Sequence, residues 1–181
     1  MKEKPLIFTE DGGASIHEGR KTQTRRPVQI SDFVHAAWRA GDRIWVRENF
    51  LIYGCWSCTG LGVTRTGLKR WQFKPNKFGV ERREVLFPDQ PPFQVMKFRS
   101  SVGWFKRPAI FMPRWACRSV LEILDVRIER LQKITEHDAT AEGFRSVDQF
   151  ASKWIDLYGQ ESWKENSQVA VIIFKKLRGE K

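Results

Sequence analysis

Lys21 and Thr24 stand three residues apart in the stretch GRKTQTRR, residues 19–26. One turn of helical or irregular backbone brings side chains at that spacing to the same side, so the pair offers a hydroxyl nucleophile beside an amine. The amine can take the hydroxyl proton only when it is neutral, which requires its pKa to fall from about 10.4 through burial or neighbouring positive charge. Arg20, Arg25 and Arg26 supply that charge within the same eight residues. The other reading of the stretch is a solvated basic turn that follows a helix.

The elements that must hold these residues can be read from pattern. KPLIFT reads as a first strand, and ASIHEG as a short helix closed by Gly19, with Gly12 and Gly13 weakening its start. In GDRIWVRENF, Ile44 and Val46 alternate with Trp45 and Arg47, giving a strand with one apolar and one aromatic, basic face. Residues 54–92 are rich in Gly, Pro, Lys and Arg, with strand-like pieces in KRWQF and REVLF, and read as an insertion of hairpins and loops. FQVMKF, SVLEILDVRIERL and QVAVIIFKKL complete the β material, the last two with nearly continuous apolar runs that suit buried strands.

Two helices carry start signals. Thr135 with Asp138, and Ser146 with Gln149, fit the capping-box pattern. The second helix sets Val147, Phe150, Ala151, Trp154 and Tyr158 on one stripe and ends at Gly159, so its aromatics are expected in the core. Strands around a few short helices, in 181 residues without internal repeats, predict a single α+β domain over 1–181 with the insertion inside it and a small barrel as its centre.

Thirty-two lysines and arginines against 21 acids leave a net charge of +11, which makes polyanions the first partner class to consider. Eight tryptophans and thirteen phenylalanines interleave with that charge, the mixture that base stacking and phosphate contacts both use. The apolar run near the N-terminus is too short for a signal peptide, and no stretch reaches membrane-spanning length, so a cytoplasmic protein without membrane partners is expected. Cys55, Cys58 and Cys117 are an odd number, and His17, His35 and His137 show no ligand spacing, so inert or redox-sensitive thiols are expected rather than a metal site. No cofactor is expected.

GRKTQTRR after a short helix, then GDRIWVRE, then ITEHDATAEGF, then a helix and a final apolar strand, resembles the ASCH domain family over nearly the whole chain. The long form, with RPAIFMPRWACR ahead of the penultimate strand, is similar to ASCH proteins of phages and prophages. The resemblance implies a β-barrel related to PUA RNA-binding domains, in a bacterial cytoplasm or that of a phage host. Small bacterial members hydrolyse N(4)-acetylcytidine to cytidine and acetate with a lysine and a threonine of a G-x-K-T-x-T motif and a glutamate of a later helix. Matched by residue, these are Lys21, Thr24 and Glu142. Glu142 falls at the negative end of the helix begun by Thr135, a place that suits a carboxyl able to give a proton to a leaving amine.

Two functions follow as expectations. One is an amidohydrolase acting on acylated cytosine, free or within a nucleic acid. The other is a module that grips RNA, or single-stranded DNA, through Arg25, Arg26, Trp45, Arg47, Arg114, Trp115 and Arg118 without chemistry, or cleaves it as an ASCH-type ribonuclease. Catalysis requires Lys21, Thr24 and Glu142 in one concave site, whereas binding requires an open basic and aromatic surface.

Overall fold

A computed structural model describes residues 1–28, 38–63, 69–75, 85–96 and 102–177. In chain order the elements are β1 (Glu3–Ile7), α1 (Glu10–His17), β2 (Gln23–Pro27), β3 (Arg43–Arg47), β4 (Phe50–Val63), β5 (Lys69–Pro75), β6 (Val85–Leu86), β7 (Gly103–Arg107), β8 (Val120–Arg130), α2 (Glu136–Ala141), α3 (Val147–Tyr158), α4 (Gln160–Lys164) and β9 (Gln168–Lys176). They form two compact units, Met1–Arg47 with Cys117–Lys181, and Glu48–Ala116. The second unit contains the 54–92 stretch whose composition sets it apart. Among the described residues no helix is long and apolar enough to cross a membrane.

The first unit is built on a five-stranded mixed sheet in the order β1-β3-β8-β9-β2. β1 and β3 run parallel, and the other neighbours are antiparallel. β9, an interior strand between β8 and β2, is apolar at both parities because both of its faces are covered. Ile172 and Phe174 join Phe8, Ile16, Ile44, Val46, Leu121 and Ile123 in one core, while Val169 and Val171 join Leu131, Ala139, Phe150 and Trp154 in another. Each of the larger aliphatic and phenylalanine side chains contributes roughly 1.5–3 kcal/mol by leaving water. The ladders describe an open sheet with β1 and β2 at its edges.

β8 departs from the continuous burial its sequence suggests. A register shift between Ile123 and Asp125 turns Leu124 out, and beyond it the strand carries the charged run that faces β2 and α2. α1 begins earlier than the pattern indicates, at Glu10, and runs through both Gly12 and Gly13. Thr9 explains this, since its side chain caps the Gly12 N–H while Glu10 and Asp11 occupy the favourable first turn. Thr135 and Asp138 form the full capping box. Ser146 caps the Gln149 N–H, but the Gln149 side chain accepts from the Arg145 N–H instead of closing the box.

In the second unit β4 is the spine, pairing antiparallel with β5, β6 and β7. Gly54 is required there: a Cβ would fall 2.7 Å from Phe73 Cζ and 2.4 Å from the Lys74 carbonyl oxygen. Cys55 and Cys58 lie on β4, where a three-residue step in an extended strand sends side chains to opposite faces. Parts of the expected strands REVLF and FQVMKF, residues 83–84 and 97–98, lie outside the described residues; the rest give β6 and a single bridge from Val95 to Trp104.

Candidate active site

The site lies in the first unit, where the basic motif crosses from α1 to β2. Gly19, at φ +81°, reverses the chain after α1, and the Arg20 and Lys21 N–H groups both donate to the Ser15 carbonyl, at 2.9 and 3.1 Å. Thr22 then ties the loop to two other elements: its N–H donates to the Ala141 carbonyl and its carbonyl accepts from the Phe174 N–H. Through that Thr22–Ala141 bond the motif is held against the C-terminal end of α2.

Glu142 is the C-cap of α2, and Gly143 follows at φ +89°. The turn folds the Glu142 side chain back over the motif. Lys21 Nζ donates to Glu142 Oε2 at 2.6 Å and to the Glu142 carbonyl oxygen at 2.7 Å. Only 7% of the lysine side chain and 3% of the glutamate side chain reach solvent. Burial lowers the Lys21 pKa below its ordinary value; Glu142 opposes the shift, and Arg26 and Arg25 reinforce it.

Arg25, expected to meet nucleic acid or substrate, is placed otherwise. Its side chain has no solvent exposure, and its guanidinium reaches Glu129 at 2.6 Å, Asp138 at 3.1 Å and Glu142 at 3.5 Å. Arg127 approaches the first two acids from the other side, at 3.3 and 3.4 Å. Lys21, Arg25 and Arg127 thus balance Glu129, Asp138 and Glu142, which is how a buried cluster of this size tolerates its desolvation. The charge of Arg25 is thus committed to carboxylates, that of Glu142 among them.

Thr24 is buried on β2 opposite Ile172, and strand alternation puts it with Arg26 on the face away from Gln23 and Arg25. Its hydroxyl makes no side-chain hydrogen bond with another described residue. Arg26 packs over the Phe8 ring at 5.0 Å and donates to the Ile7 carbonyl. The Nε atoms of Arg25 and Arg26 are buried without a partner among the described residues.

Lys21, Thr24, Arg25, Arg26 and Glu142 line one cavity of about 100 Å³, together with Phe144, Phe150 and Trp154. One water needs about 10–15 Å³ of such space, so the cavity has room for a group of several heavy atoms, such as an acyl group. A wider groove of about 960 Å³ shares Asp11, Ser15, Gly143, Phe144 and Lys153 with it. Phe150 and Trp154 of α3 are therefore core and cavity wall at once, whereas Tyr158, expected in the core, lines the cavity near the surface and is exposed. Asp138 and Glu129 are further members of the site; the sequence marks Asp138 as a helix cap alone and gives no signal for Glu129.

The other expected contacts lie elsewhere. Trp45 and Arg47 pair with each other on β3, the guanidinium 5.2 Å from the ring, and neither lines the cavity. Arg118 belongs to the first unit, and Arg114 and Trp115 to a 3-10 turn of the second.

No family model and no curated protein matches the chain. Among solved structures it is similar to an ASCH domain from Lactobacillus crispatus JV V101, at 9% identity and a TM-score of 0.49, covering 97% of this chain and 79% of that one. It is also similar to a protein of Enterococcus faecalis V583 described by the family model DUF984, at 9% identity and a TM-score of 0.44, covering 98% and 81%.

Proposed function

We propose that the first unit is a PUA-like domain of the ASCH type that hydrolyses the amide formed by an acyl group on the exocyclic amine of cytosine. The observation that carries this reading is the buried contact of Lys21 with Glu142 in a cavity that Thr24 also lines. In the reactive form the lysine holds a lone pair and the glutamate a proton. Lys21 takes the Thr24 proton as Oγ1 bonds to the acyl carbon; the C–N bond then breaks while Glu142 protonates the departing amine. Water cleaves the threonyl ester, releasing the acid and restoring the hydroxyl. Arg26 Nε, buried at the cavity without a partner among the described residues, is the candidate donor to the oxyanion. The acyl group enters the small cavity and the rest of the substrate occupies the groove beside it.

A second reading, a clamp that binds RNA or single-stranded DNA without chemistry, is favoured by one observation: both side-chain hydrogen bonds of Lys21 go to Glu142 and neither to Thr24. Incubation with N(4)-acetylcytidine, followed by chromatographic detection of cytidine, separates the two. Release of cytidine that is lost in Thr24→Ala supports the hydrolase; no turnover at high enzyme concentration leaves the clamp.

A further inference from the structure

The second unit carries a site of a different kind. One face of β4, β5 and β7 presents Trp56, Trp71, Phe73 and Arg107, and the chain after β7 brings Phe111 and Trp115 to the same groove, which measures about 570 Å³. That is within the range of small-ligand clefts, about 300–1,000 Å³. Arg107 lies among the rings, its guanidinium 4.9 Å from Trp56, 4.9 Å from Phe73 and 4.7 Å from Phe111. It has no carboxylate partner among the described residues. Trp71, Phe111 and Trp115 are 39%, 58% and 47% exposed, an unusual outlay of large rings on a surface.

Charge decides what such a groove accepts. Residues 48–116 hold twelve lysines and arginines against four acids, which is eight of the eleven net positive charges of the chain. Arg70, Lys74 and Lys106 stand exposed on the strands that form the groove. An apolar peptide would cover Arg107 and leave its charge without a counter-ion. A nucleotide brings both a flat π-face for the rings and an anion for the arginine. Bases within a duplex are already stacked and offer no free face, so the strand must be single.

We propose that the second unit binds single-stranded nucleic acid, stacking unpaired bases on Trp71, Phe111 and Trp115 while Arg107 and the flanking cations hold the phosphates. The proposal is independent of the chemistry assigned to Lys21. It is tested with the full chain by fluorescence anisotropy, using labelled oligo(U), oligo(dT), the matching duplex and polyglutamate over a series of salt concentrations.

Both single strands, or one of them, should bind more tightly than the duplex, and a preference between them names the polymer. Trp71→Ala and Phe111→Ala should each weaken binding by roughly five- to a hundred-fold with little change of salt slope, as loss of one stacked base does. Trp71→Phe should retain most of the affinity. Arg107→Gln should flatten the salt slope as well. Equal binding of duplex and single strand, unchanged affinity in both alanine variants, or equal binding of polyglutamate overturns the proposal. Circular dichroism of the variants, whose two ring positions are solvent-exposed, separates lost stacking from lost folding.

Discussion

Lys21 holds both the backbone carbonyl and the carboxylate of Glu142 with one ammonium group, at 2.7 and 2.6 Å. The lysine thereby fixes the end of α2 as well as the acid that the end displays. In the proposed mechanism structure and chemistry depend on the same atom, and the two can be pulled apart by mutation.

Lys21→Met should destabilise the fold, because Glu142 would be left buried with only Arg25 among the described residues, at 3.5 Å, to balance it. Breaking one side of a buried pair costs about 3–5 kcal/mol. Adding Glu142→Leu should recover a large part of that loss, since Arg25 keeps Glu129 and Asp138. Urea unfolding of the two single variants and the double variant measures the coupling.

Lys21→Arg keeps the positive charge but cannot accept a proton, because guanidinium stays protonated at any working pH. Hydrolysis of N(4)-acetylcytidine should fall to background, while Thr24→Ser keeps a measurable rate. A wild-type rate in Lys21→Arg would remove the lysine from the mechanism.

The pH dependence has a definite sign. Burial lowers the folded-state pKa of Lys21 below 10.5, so the unfolded chain holds the lysine proton more tightly. Between the lowered value and 10.5 this group makes stability rise with pH, whereas the rate of hydrolysis should pass through a maximum, because the reactive form needs Lys21 without its proton and Glu142 with one and is depleted at both low and high pH. A rate that is flat, or that keeps rising to high pH, would contradict the pairing of base and acid.

Asp138 titrates in the opposite sense. Burial raises its pKa, but hydrogen bonds from the Thr135 backbone, Gln23 and the Thr135 side chain, with the charge of Arg25, outweigh this and hold it down at about 2 from an ordinary 3.8. Its contribution, roughly 2 kcal/mol, should be complete above pH 3.8 and lost as pH falls through about 2. Asp138→Asn should therefore be less stable than wild type at neutral pH and converge with it in acid, as followed by thermal unfolding.

Gly143→Ala tests the turn that aims Glu142. At φ +89° any side chain is strained, and a Cβ would sit 3.4 Å from Ser15 Cβ and 3.5 Å from Lys21 Cβ. The variant should lose about 1–2 kcal/mol of stability. It should also lose hydrolysis at temperatures where it remains folded.

What the sequence made legible was what is local. The Thr135–Asp138 box spans three residues, the end of α3 is set by Gly159, and the apolar run of β9 is uniform because both its faces are covered. Glu142 is 121 residues from Lys21, and only resemblance to a family links the two; no spacing does. Arg25 looked like a surface cation because residue type does not reveal Glu129 and Asp138 waiting across the sheet. Gly12 and Gly13 weaken the helix start by roughly 0.5–1 kcal/mol each, a cost that the cap at Thr9, worth about 1 kcal/mol, offsets in large part.

The route of the chain between two neighbouring strands also bears on how the protein is made. Val46 of β3 donates to the Ser119 carbonyl just before β8, at 3.0 Å, yet the whole of residues 48–116 intervenes. Equilibrium tolerates such a detour, since closing a loop costs only about 0.6 kcal/mol more for each doubling of its length. Synthesis does not, because a nascent chain emerging at about 5–20 residues per second exposes the inner edge of β3 until β8 arrives to cover it. During that interval β1 and β3 are a two-stranded sheet with an open, apolar edge, the template that neighbouring chains can join. Early collapse of residues 48–116 would shorten the wait by bringing Ser119 back toward Val46. Variants that unfold the second unit should thus aggregate during expression through the first unit, and slower translation before residue 117 should make them worse.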